Sequence, residues 1–326
     1  MEIILEKPRK YHVSQDTVAA FEKIILSDPH VRWLNFSDRQ VSNLVYYLWR
    51  IADRSGRRTH LLPRSPATGI HAGKKQRDLF VVSMGINLRK WMPFSFASGR
   101  KSIYLFDAWP SIHDEVKELI LHWNIDNVFL SSSQAAERLG RSVSGCHCYW
   151  IPEGHNPEDY RFCSYQDKKI DVLQFGRKYD IYHQLIAAPL ERLGKVYLYE
   201  KEKGELVFPT QEEFLDGLAG SKISICFPAS MTHPVRAGDI ETMTGRYLQS
   251  MASKCLILGH APEEMIGLFG YNPVIEIDWD DPVGQLRSVL DRYTEYIPFL
   301  EKNYQAVVEN HTWQRRWERI VQVLFT

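Results

Sequence analysis

Short apolar runs alternate with longer segments of helical periodicity along most of the chain. In those longer segments apolar residues recur every three or four positions. This alternation predicts parallel sheets whose strands are joined by right-handed crossover helices. The strands are expected at 3–5, 78–84, 101–106, 127–130, 149–151, 170–175, 196–199, 223–227 and 255–258. The helices are expected at 17–26, 41–51, 113–123, 134–139, 182–193, 211–219, 245–252, 283–293, 297–308 and 312–324.

The same rhythm starts a second time in the latter half of the chain. Lys168 and Lys169 precede a new strand, which predicts a domain boundary near 160–169. A length of 326 residues fits two domains. The chain is therefore expected to be an α/β protein of two Rossmann-like domains facing a cleft, with its ligand beyond the carboxyl ends of the strands.

Charge is balanced overall but divided along the sequence. The 40 basic and 40 acidic side chains cancel, which argues against a dedicated nucleic-acid binder. Residues 1–150 hold 21 basic and 14 acidic side chains, whereas residues 151–326 hold 19 and 26. The stretch 50–77 carries eight basic residues against Asp53 alone. It is either a solvated loop or a patch that meets lipid headgroups or an anionic acceptor.

Targeting signals and disulfides are not expected. The apolar runs are too short to cross a bilayer, and 1–8 carries Glu2 and Glu6 where a signal peptide would be apolar. We therefore expect a cytoplasmic protein, peripheral at the inner membrane face if 50–77 binds lipid. Five cysteines predict no disulfide framework, and the spacing in Cys146-His147-Cys148 is wrong for a zinc knuckle, so no metal site is expected.

The loop after strand 170–175 is the first candidate for ligand binding. Gly176 allows the backbone to turn sharply there, and Arg177 and Lys178 follow it. A guanidinium at a strand exit can bind phosphate through two parallel hydrogen bonds. The alternative is a surface turn with two solvated cations.

The segment 239–249 leads into helix 245–252 and is the second candidate. Thr244 and Gly245 at the helix start would present backbone N–H groups to an anion such as a phosphate, and Arg246 would add a fixed charge. Glu241 could accept hydrogen bonds from sugar hydroxyls. The alternative is an N-capped surface helix.

Asp107 follows strand 101–106 and is the third candidate. An acid at this position, beside Trp109, could act as a base or bind a hydroxyl. Alternatively, Asp107 caps the next turn while Trp109 lies in the core. No strand is followed by the glycine-rich dinucleotide fingerprint, and neither a phosphate-binding P-loop nor a serine-hydrolase elbow is present.

Five segments in this order resemble a known family of enzymes, the GT-B glycosyltransferases of the group 1 or family-4-like kind. The resemblance runs from about residue 78 to the end of the chain. It rests on NVFLSSS at 127–133, IPEGHN at 151–156, DVLQFGR at 171–177, the E-x7-E-like segment from Glu241 to Gln249 with MASKC at 251–255, and His311-Thr312-Trp313.

The resemblance implies transfer of a sugar, most typically a hexose, from a UDP- or GDP-linked donor without a metal ion or other cofactor. It implies an acceptor-side domain at 1–163, a donor domain at 164–311 and a closing helix at 312–326 that returns towards the N-terminal domain. The acceptor is unidentified, and an anionic or lipid-linked molecule would match the basic stretch. No nucleic-acid partner is expected.

The resemblance also suggests individual residue roles in the donor domain. Gly176, Arg177 and Lys178 would lie at the donor diphosphate, with Arg177 in contact with it. Thr244 and Gly245 would donate backbone N–H groups to the same diphosphate, beside Arg246. Glu241 would bind donor-sugar hydroxyls, and Gln249 would face the nucleotide ribose.

Three residues depart from the family pattern. Gln249 stands where a second Glu is usual, Tyr182 stands where a Lys is usual, and Asp107 stands in the loop that often holds a catalytic His. Lys178 could replace the missing Lys. A retaining reaction would use the leaving phosphate as base and is favoured by the resemblance, whereas an inverting one would use Asp107 to deprotonate the acceptor. The departures leave two alternatives, a non-catalytic nucleotide-sugar-binding protein and a GT-B epimerase or phosphorylase.

Overall fold

A computed structural model describes residues 2–6, 16–34, 47–48, 51, 77–86, 99–202 and 204–325. Its contacts divide the chain into two compact units. Unit 1 comprises Met1–Lys10, Glu22–Ile151 and Ile320–Thr326, and unit 2 comprises Tyr11–Phe21 and Pro152–Arg319.

Unit 1 is built on a six-stranded sheet in which every pair of neighbouring strands is parallel, in the order β2-β1-β3-β4-β5-β6. Its central strands are continuous apolar runs because both faces of a parallel sheet are covered by helices. Its strands are β1 (Glu2–Glu6), β2 (Val31–Leu34), β3 (Arg77–Met84), β4 (Arg100–Phe106), β5 (Asn127–Leu130) and β6 (His147–Trp150). Its helices are α2 (His113–Trp123), α3 (Ser133–Ser142) and the second half of α1 (Asp16–Ser27), whose first half belongs to unit 2.

Unit 2 contains a five-stranded sheet, also parallel throughout, in the order β11-β10-β9-β7-β8. Its strands are β7 (Ile170–Gln174), β8 (Tyr197–Tyr199), β9 (Ser221–Cys226), β10 (Leu256–Gly259) and β11 (Ile275–Glu276). Its longer helices are α4 (Asp180–Arg192), α5 (Gln211–Ala219), α8 (Gly245–Ala252), α9 (Glu263–Phe269), α10 (Pro282–Asp291), α11 (Ile297–Asn310) and the start of α12 (Trp313–Phe325). Two single-turn helices, α6 (Ala229–Thr232) and α7 (Pro234–Ala237), follow β9.

The two parallel sheets confirm the predicted α/β fold with two Rossmann-like domains. Most predicted elements are present with ends shifted by one to three residues. The sequence missed β2, β11, α9 and the single-turn helices α6 and α7. Of the predicted helix 41–51, residues 47, 48 and 51 are described and helical, and the rest lies outside the described residues, as do the basic side chains of 50–77. Ser132 caps α3, since its side chain accepts a hydrogen bond from Ala135 N.

The division between the units falls after Ile151, whereas the sequence placed the boundary after residue 163. The segment that follows Ile151 is bonded within unit 2. His155 pairs with Thr312 in a parallel bridge, and the Arg316 guanidinium donates to the carbonyls of Pro152 and Glu153. These bonds join the segment to the start of α12, whereas the end of α12, from Ile320 onwards, belongs to unit 1.

Tyr182, which stands in place of the family's Lys, lies in the apolar core of unit 2. It is fully buried on α4 and packs against Phe227 and Trp279 with ring centroids 5.7 and 6.1 Å apart. Its position therefore serves packing rather than ligand binding.

None of the five cysteines forms a disulfide, in line with the sequence. Within the described ranges, no helix is long and apolar enough to span a membrane.

Candidate functional site

The strands of unit 2 end at one edge of the sheet, and most of the predicted donor-binding residues lie there. Gly176 follows β7 with a φ of +69°, the left-handed region that favours glycine. A Cβ at this position would lie 3.2 Å from Cδ of Arg246. Glycine is thus required both for the turn and for the close approach of the arginine.

Arg246 bridges two strand-exit loops through its guanidinium. Nη1 donates to the carbonyls of Phe175 and Arg177 at 3.3 and 3.2 Å, and Nη2 donates to the carbonyl of Phe227 at 3.1 Å. The sequence predicted a fixed charge near the phosphate. In the structure the Arg246 guanidinium also connects the loop after β7 to the loop after β9 through these hydrogen bonds.

The N-terminus of α8 is already bonded to an anion of the protein itself. Glu153 is buried, and its Oε2 accepts a 2.7 Å hydrogen bond from the backbone N–H of Gly245. The sequence predicted that the N–H of Gly245 is offered to a diphosphate. In the structure this N–H is instead bonded to the carboxylate of Glu153, 92 positions away in sequence. Thr244 is buried, and its Oγ1 has no hydrogen-bond partner among the described residues.

A small cavity of about 160 Å³ lies at this edge of the sheet. One wall is apolar, and the Phe208 ring that contributes to it packs directly on Gly217 of α5, where a Cβ would overlap the ring. The other wall is polar and includes Asp16 and Gln249. The full lining is Asp16, Phe175, Gly176, Leu206, Val207, Phe208, Phe214, Arg246 and Gln249.

Three side chains form a hydrogen-bonded cluster at the polar wall of the small cavity. Oδ2 of Asp16 accepts hydrogen bonds from the Tyr160 hydroxyl and from Nε2 of Gln249, both at 2.8 Å. The same Nε2 lies 2.8 Å from the Tyr160 oxygen. Burial raises the pKa of Asp16, and the hydrogen bonds from Tyr160, Thr17 N and Gln249 offset part of this rise.

A larger cavity of about 610 Å³ adjoins the small one and shares Gly176, Leu206 and Val207 with it. The cationic side chains at this cavity are Arg177 and Lys178 after β7, together with His233, which is cationic only when protonated. Lys178 is held in place, since its Nζ donates to the carbonyl of Glu200 at 3.2 Å. Acidic side chains also contribute to the lining, namely Asp180, Glu200 and Glu205.

Glu241 belongs to a chain of charged groups at the exits of β10 and β11. His260 follows β10 directly, with its Nε2 3.3 Å from Oε2 of Glu241 and its Nδ1 3.0 Å from Oε2 of Glu276. The bond to Glu276 and the charges of both carboxylates raise the pKa of His260 to about 9, against the opposing effect of burial. The imidazole is therefore protonated at neutral pH and donates to both carboxylates.

Asp107 follows β4 and belongs to unit 1, whereas the residues described so far in this section belong to unit 2. Its φ is +52°, and its backbone carbonyl accepts a 2.8 Å bond from Trp109 N. Trp109 is buried in the core, as the alternative interpretation expected. The Asp107 carboxylate makes no hydrogen bond with the described part of the chain.

Unit 2 thus brings together predicted residues with others that the sequence did not indicate. Arg177, Lys178, Arg246 and Gln249 line the two adjoining cavities. The residues that were missed are Asp16, Glu153, Tyr160, His260 and Glu276. His260 follows a predicted strand directly, so the rule that ligands lie beyond strand ends could have found it. Among the described residues, no group of three or more potential ligands is arranged to hold a metal ion.

Comparisons with known proteins identify the type of fold. No family model matches the chain, and no curated protein matches it either. Solved structures do match. A trehalose-6-phosphate synthase, OtsA, has a TM-score of 0.61 at 9% identity, covering 100% of this chain and 99% of its own.

Two further structures match over a similar extent. A glycosyltransferase from Rickettsia africae has a TM-score of 0.57 at 9% identity, covering 99% of this chain and 97% of its own. HepE from Anabaena, solved in complex with UDP and glucose, has a TM-score of 0.56 at 9% identity and covers 99% of both chains. At such identities the likeness shows the fold alone, which is the GT-B fold of two Rossmann-like domains.

Proposed function

We propose that the protein is a glycosyltransferase that moves a sugar from a nucleotide-sugar donor to an acceptor. The observation that carries this proposal is the pair of adjoining cavities at the carboxyl edge of the unit 2 sheet. One is small and partly apolar with a hydrogen-bonding wall, suited to a nucleoside. The other is larger and holds Arg177 and Lys178, suited to a diphosphate and a sugar.

The chemistry proposed for unit 2 is stabilisation of a departing nucleoside diphosphate. Negative charge develops on the phosphate as the bond to the sugar breaks, and fixed cations stabilise it without reorganisation. Arg177 and Lys178 supply these cations in our proposal, and Arg246 holds the loop that carries them. Glu241, oriented by His260, binds donor-sugar hydroxyls. HepE, with the same fold, was solved with UDP and glucose, which supports a UDP-linked donor.

For the stereochemistry we propose a retaining reaction that uses no metal ion, with the leaving phosphate as the base. The proposal rests on the sequence resemblance. An inverting reaction would instead use Asp107, whose carboxylate at the exit of β4 makes no hydrogen bond within the described residues. The acceptor is proposed to be anionic or lipid-linked and to meet the basic stretch 50–77, with the protein in the cytoplasm at the membrane face.

The test is a panel of UDP- and GDP-linked hexoses incubated with the protein, with and without candidate acceptors, while free nucleoside diphosphate is measured. We expect release with at least one donor, and a loss of about 100-fold in kcat/KM on Arg177→Ala and on Glu241→Ala. Arg161→Ala is the matched control, because that guanidinium pairs with Asp216 on the surface of the same unit.

Two outcomes would replace this proposal with another function. Tight binding of a nucleotide sugar without turnover under any acceptor would favour a non-catalytic binding protein. A product in which only the donor sugar is epimerised would favour an epimerase of the same fold.

A further inference from the structure

We propose that Asp16, from helix α1, is a ligand-binding residue of the small cavity and accepts a hydrogen bond from the vicinal hydroxyls of the nucleotide's ribose. The inference rests on the proposed function and adds to it a specificity residue that lies outside every motif of the sequence. It predicts that the protein distinguishes ribonucleotides from 2′-deoxyribonucleotides.

The Asp16 carboxylate lies at the small cavity and is hydrogen-bonded within unit 2. Oδ1 accepts from Thr17 N at 2.7 Å, Oδ2 accepts from Tyr160 and Gln249, and the N–H of Asp16 itself also bonds the carboxylate. A carboxylate offers about four acceptor positions, so a ligand hydroxyl in the cavity would share an oxygen with one of these donors or displace it.

Gln249 supplies a second acceptor beside the first. Because an ionised carboxylate can only accept, the amide nitrogen of Gln249 must face Asp16, and this fixes the orientation of the amide. Its nitrogen is bonded to Asp16 and to Tyr160. Its Oε1 has no hydrogen bond within the described residues, although Gln249 also lines the cavity. Two adjacent acceptors match the two O–H donors of a vicinal diol.

The polar wall suits hydroxyls and repels phosphate. A phosphate oxygen beside Asp16 and Gln249 would meet a carboxylate and an amide oxygen, which is a repulsive arrangement. Arg246 also lines this cavity, but its guanidinium is bonded to three backbone carbonyls. Arg177 and Lys178 lie at the adjoining large cavity. The small cavity is also lined by Phe175, Phe208 and Phe214, whose rings offer apolar surface to the flat face of a base. This arrangement orients a nucleotide with its base and ribose in the small cavity and its phosphates in the large one.

Burial opposes ionisation of Asp16 and raises its pKa, whereas the hydrogen bonds from Tyr160, Thr17 N, Gln249 and its own N–H favour the charged form and offset part of this rise. Asp16→Asn keeps the size of the side chain and one acceptor oxygen while it removes the charge. If Asp16 serves the ligand, this variant should weaken ribose recognition, while its melting temperature falls only by the loss of the acceptor for Thr17 N.

The experiment measures the dissociation constants of UDP, GDP and ADP and of their 2′-deoxy counterparts by calorimetry, for the wild type, Asp16→Asn and Asp16→Ala. Asp167→Asn is the matched control, because Asp167 is an exposed carboxylate of the same unit that bonds Ser164. We expect the best ribonucleotide to bind wild type about tenfold more tightly than its deoxy form, which corresponds to one hydrogen bond to a charged group. Both Asp16 variants should reduce that ratio to about one or two.

The outcomes separate this inference from the proposed function. If nucleoside diphosphates bind but the ribose-to-deoxyribose ratio is the same in wild type and in Asp16→Asn, the role of Asp16 is refuted and the proposed function stands. If none of the six nucleotides binds wild type, the proposed function fails and the inference fails with it. A melting temperature of Asp16→Asn far below that of Asp167→Asn would make Asp16 a structural residue and would also overturn the inference.

Discussion

The carboxylate of Glu153 accepts a 2.7 Å hydrogen bond from the backbone N–H of Gly245 at the first turn of α8. A buried side chain of the protein therefore occupies an anion-binding position that the sequence assigned to a diphosphate. The space around it is tight, since a Cβ at Gly245 would lie 3.1 Å from Oε2 of Glu153 and 3.5 Å from Oγ1 of Thr17. If a phosphate binds at this edge of the sheet as proposed, its positive counter-charge must come chiefly from side chains.

Loss of the Glu153 carboxylate should destabilise unit 2. Glu153→Ala leaves the N–H of Gly245 buried and unpaired, so the free energy of unfolding should fall by about 1–3 kcal/mol. Glu153→Gln keeps an acceptor and loses only the interaction of the charge with the helix dipole, about 0.3–1 kcal/mol. Urea unfolding followed by circular dichroism measures both. The exposed Glu158→Ala is the control, and equal stability of Glu153→Ala and Glu158→Ala would contradict this role.

Replacement of Arg246 by lysine, which keeps the charge, should still reduce stability and nucleotide binding. Lysine at 246 cannot bridge the carbonyls of Phe175, Arg177 and Phe227 with one ammonium, so the loops after β7 and β9 should lose their mutual support. We expect Arg246→Lys to lower the free energy of unfolding by about 1–2 kcal/mol and to weaken nucleotide binding. Denaturation and calorimetry measure the two effects. Unchanged stability and binding would mean that only the charge matters.

The stability of unit 2 should decline at high pH because of His260. Its pKa is raised to about 9, first by the hydrogen bond to Glu276, whereas an unfolded histidine titrates near 6.5. A raised pKa contributes stability that is complete below the unfolded value and is lost as the pH rises through the folded one. Because the side chain is about a third exposed, the loss should be on the order of 1 kcal/mol.

The control for this pH dependence is His260→Gln, which cannot be protonated. Urea unfolding at about pH 6 and about pH 10 should show a smaller difference between the two conditions in the variant than in the wild type. An identical pH dependence in both proteins would show that the pair of carboxylates does not hold a histidinium.

The basic stretch 50–77 is open to a direct test. Replacing Arg54, Arg57, Arg58 and Arg64 with Ser should weaken binding to anionic liposomes at least tenfold, since each basic residue near such a surface contributes about 1 kcal/mol. Alternatively, it should raise the KM for an anionic acceptor. A variant that replaces four exposed arginines elsewhere provides the control: Arg287, Arg292, Arg315 and Arg319. If neither quantity changes, the stretch is solvated surface.

The sequence predicted the long elements because their periodicity is a local property. Helices such as Gln211–Ala219 and Gly245–Ala252 agree with expectation to the residue. In α5 the agreement has a local cause, since Thr210 and Glu213 form a capping box at its start. The strand β11 was missed because two residues carry no periodicity.

The candidate site was less predictable because its bonds join distant parts of the chain. Asp16 and Gln249 are 233 positions apart, and no local pattern indicates that they meet. Glu153 looked like part of a turn, yet it accepts the helix N–H that the sequence left open for a ligand. The residues that follow the strands could be predicted from the sequence, whereas their hydrogen-bond partners depend on tertiary packing.

Unit 2 is not one continuous piece of chain, since residues 11–21 belong to it together with 152–319. A chimera that receives only 152–319 would carry Arg177, Glu241 and Gln249 but would leave Asp16 behind. If Asp16 binds the ribose as proposed, transfer of nucleotide preference to another protein of this fold requires residues 11–21 as well. N-terminal tags or fusions should then be placed where they leave helix α1 undisturbed.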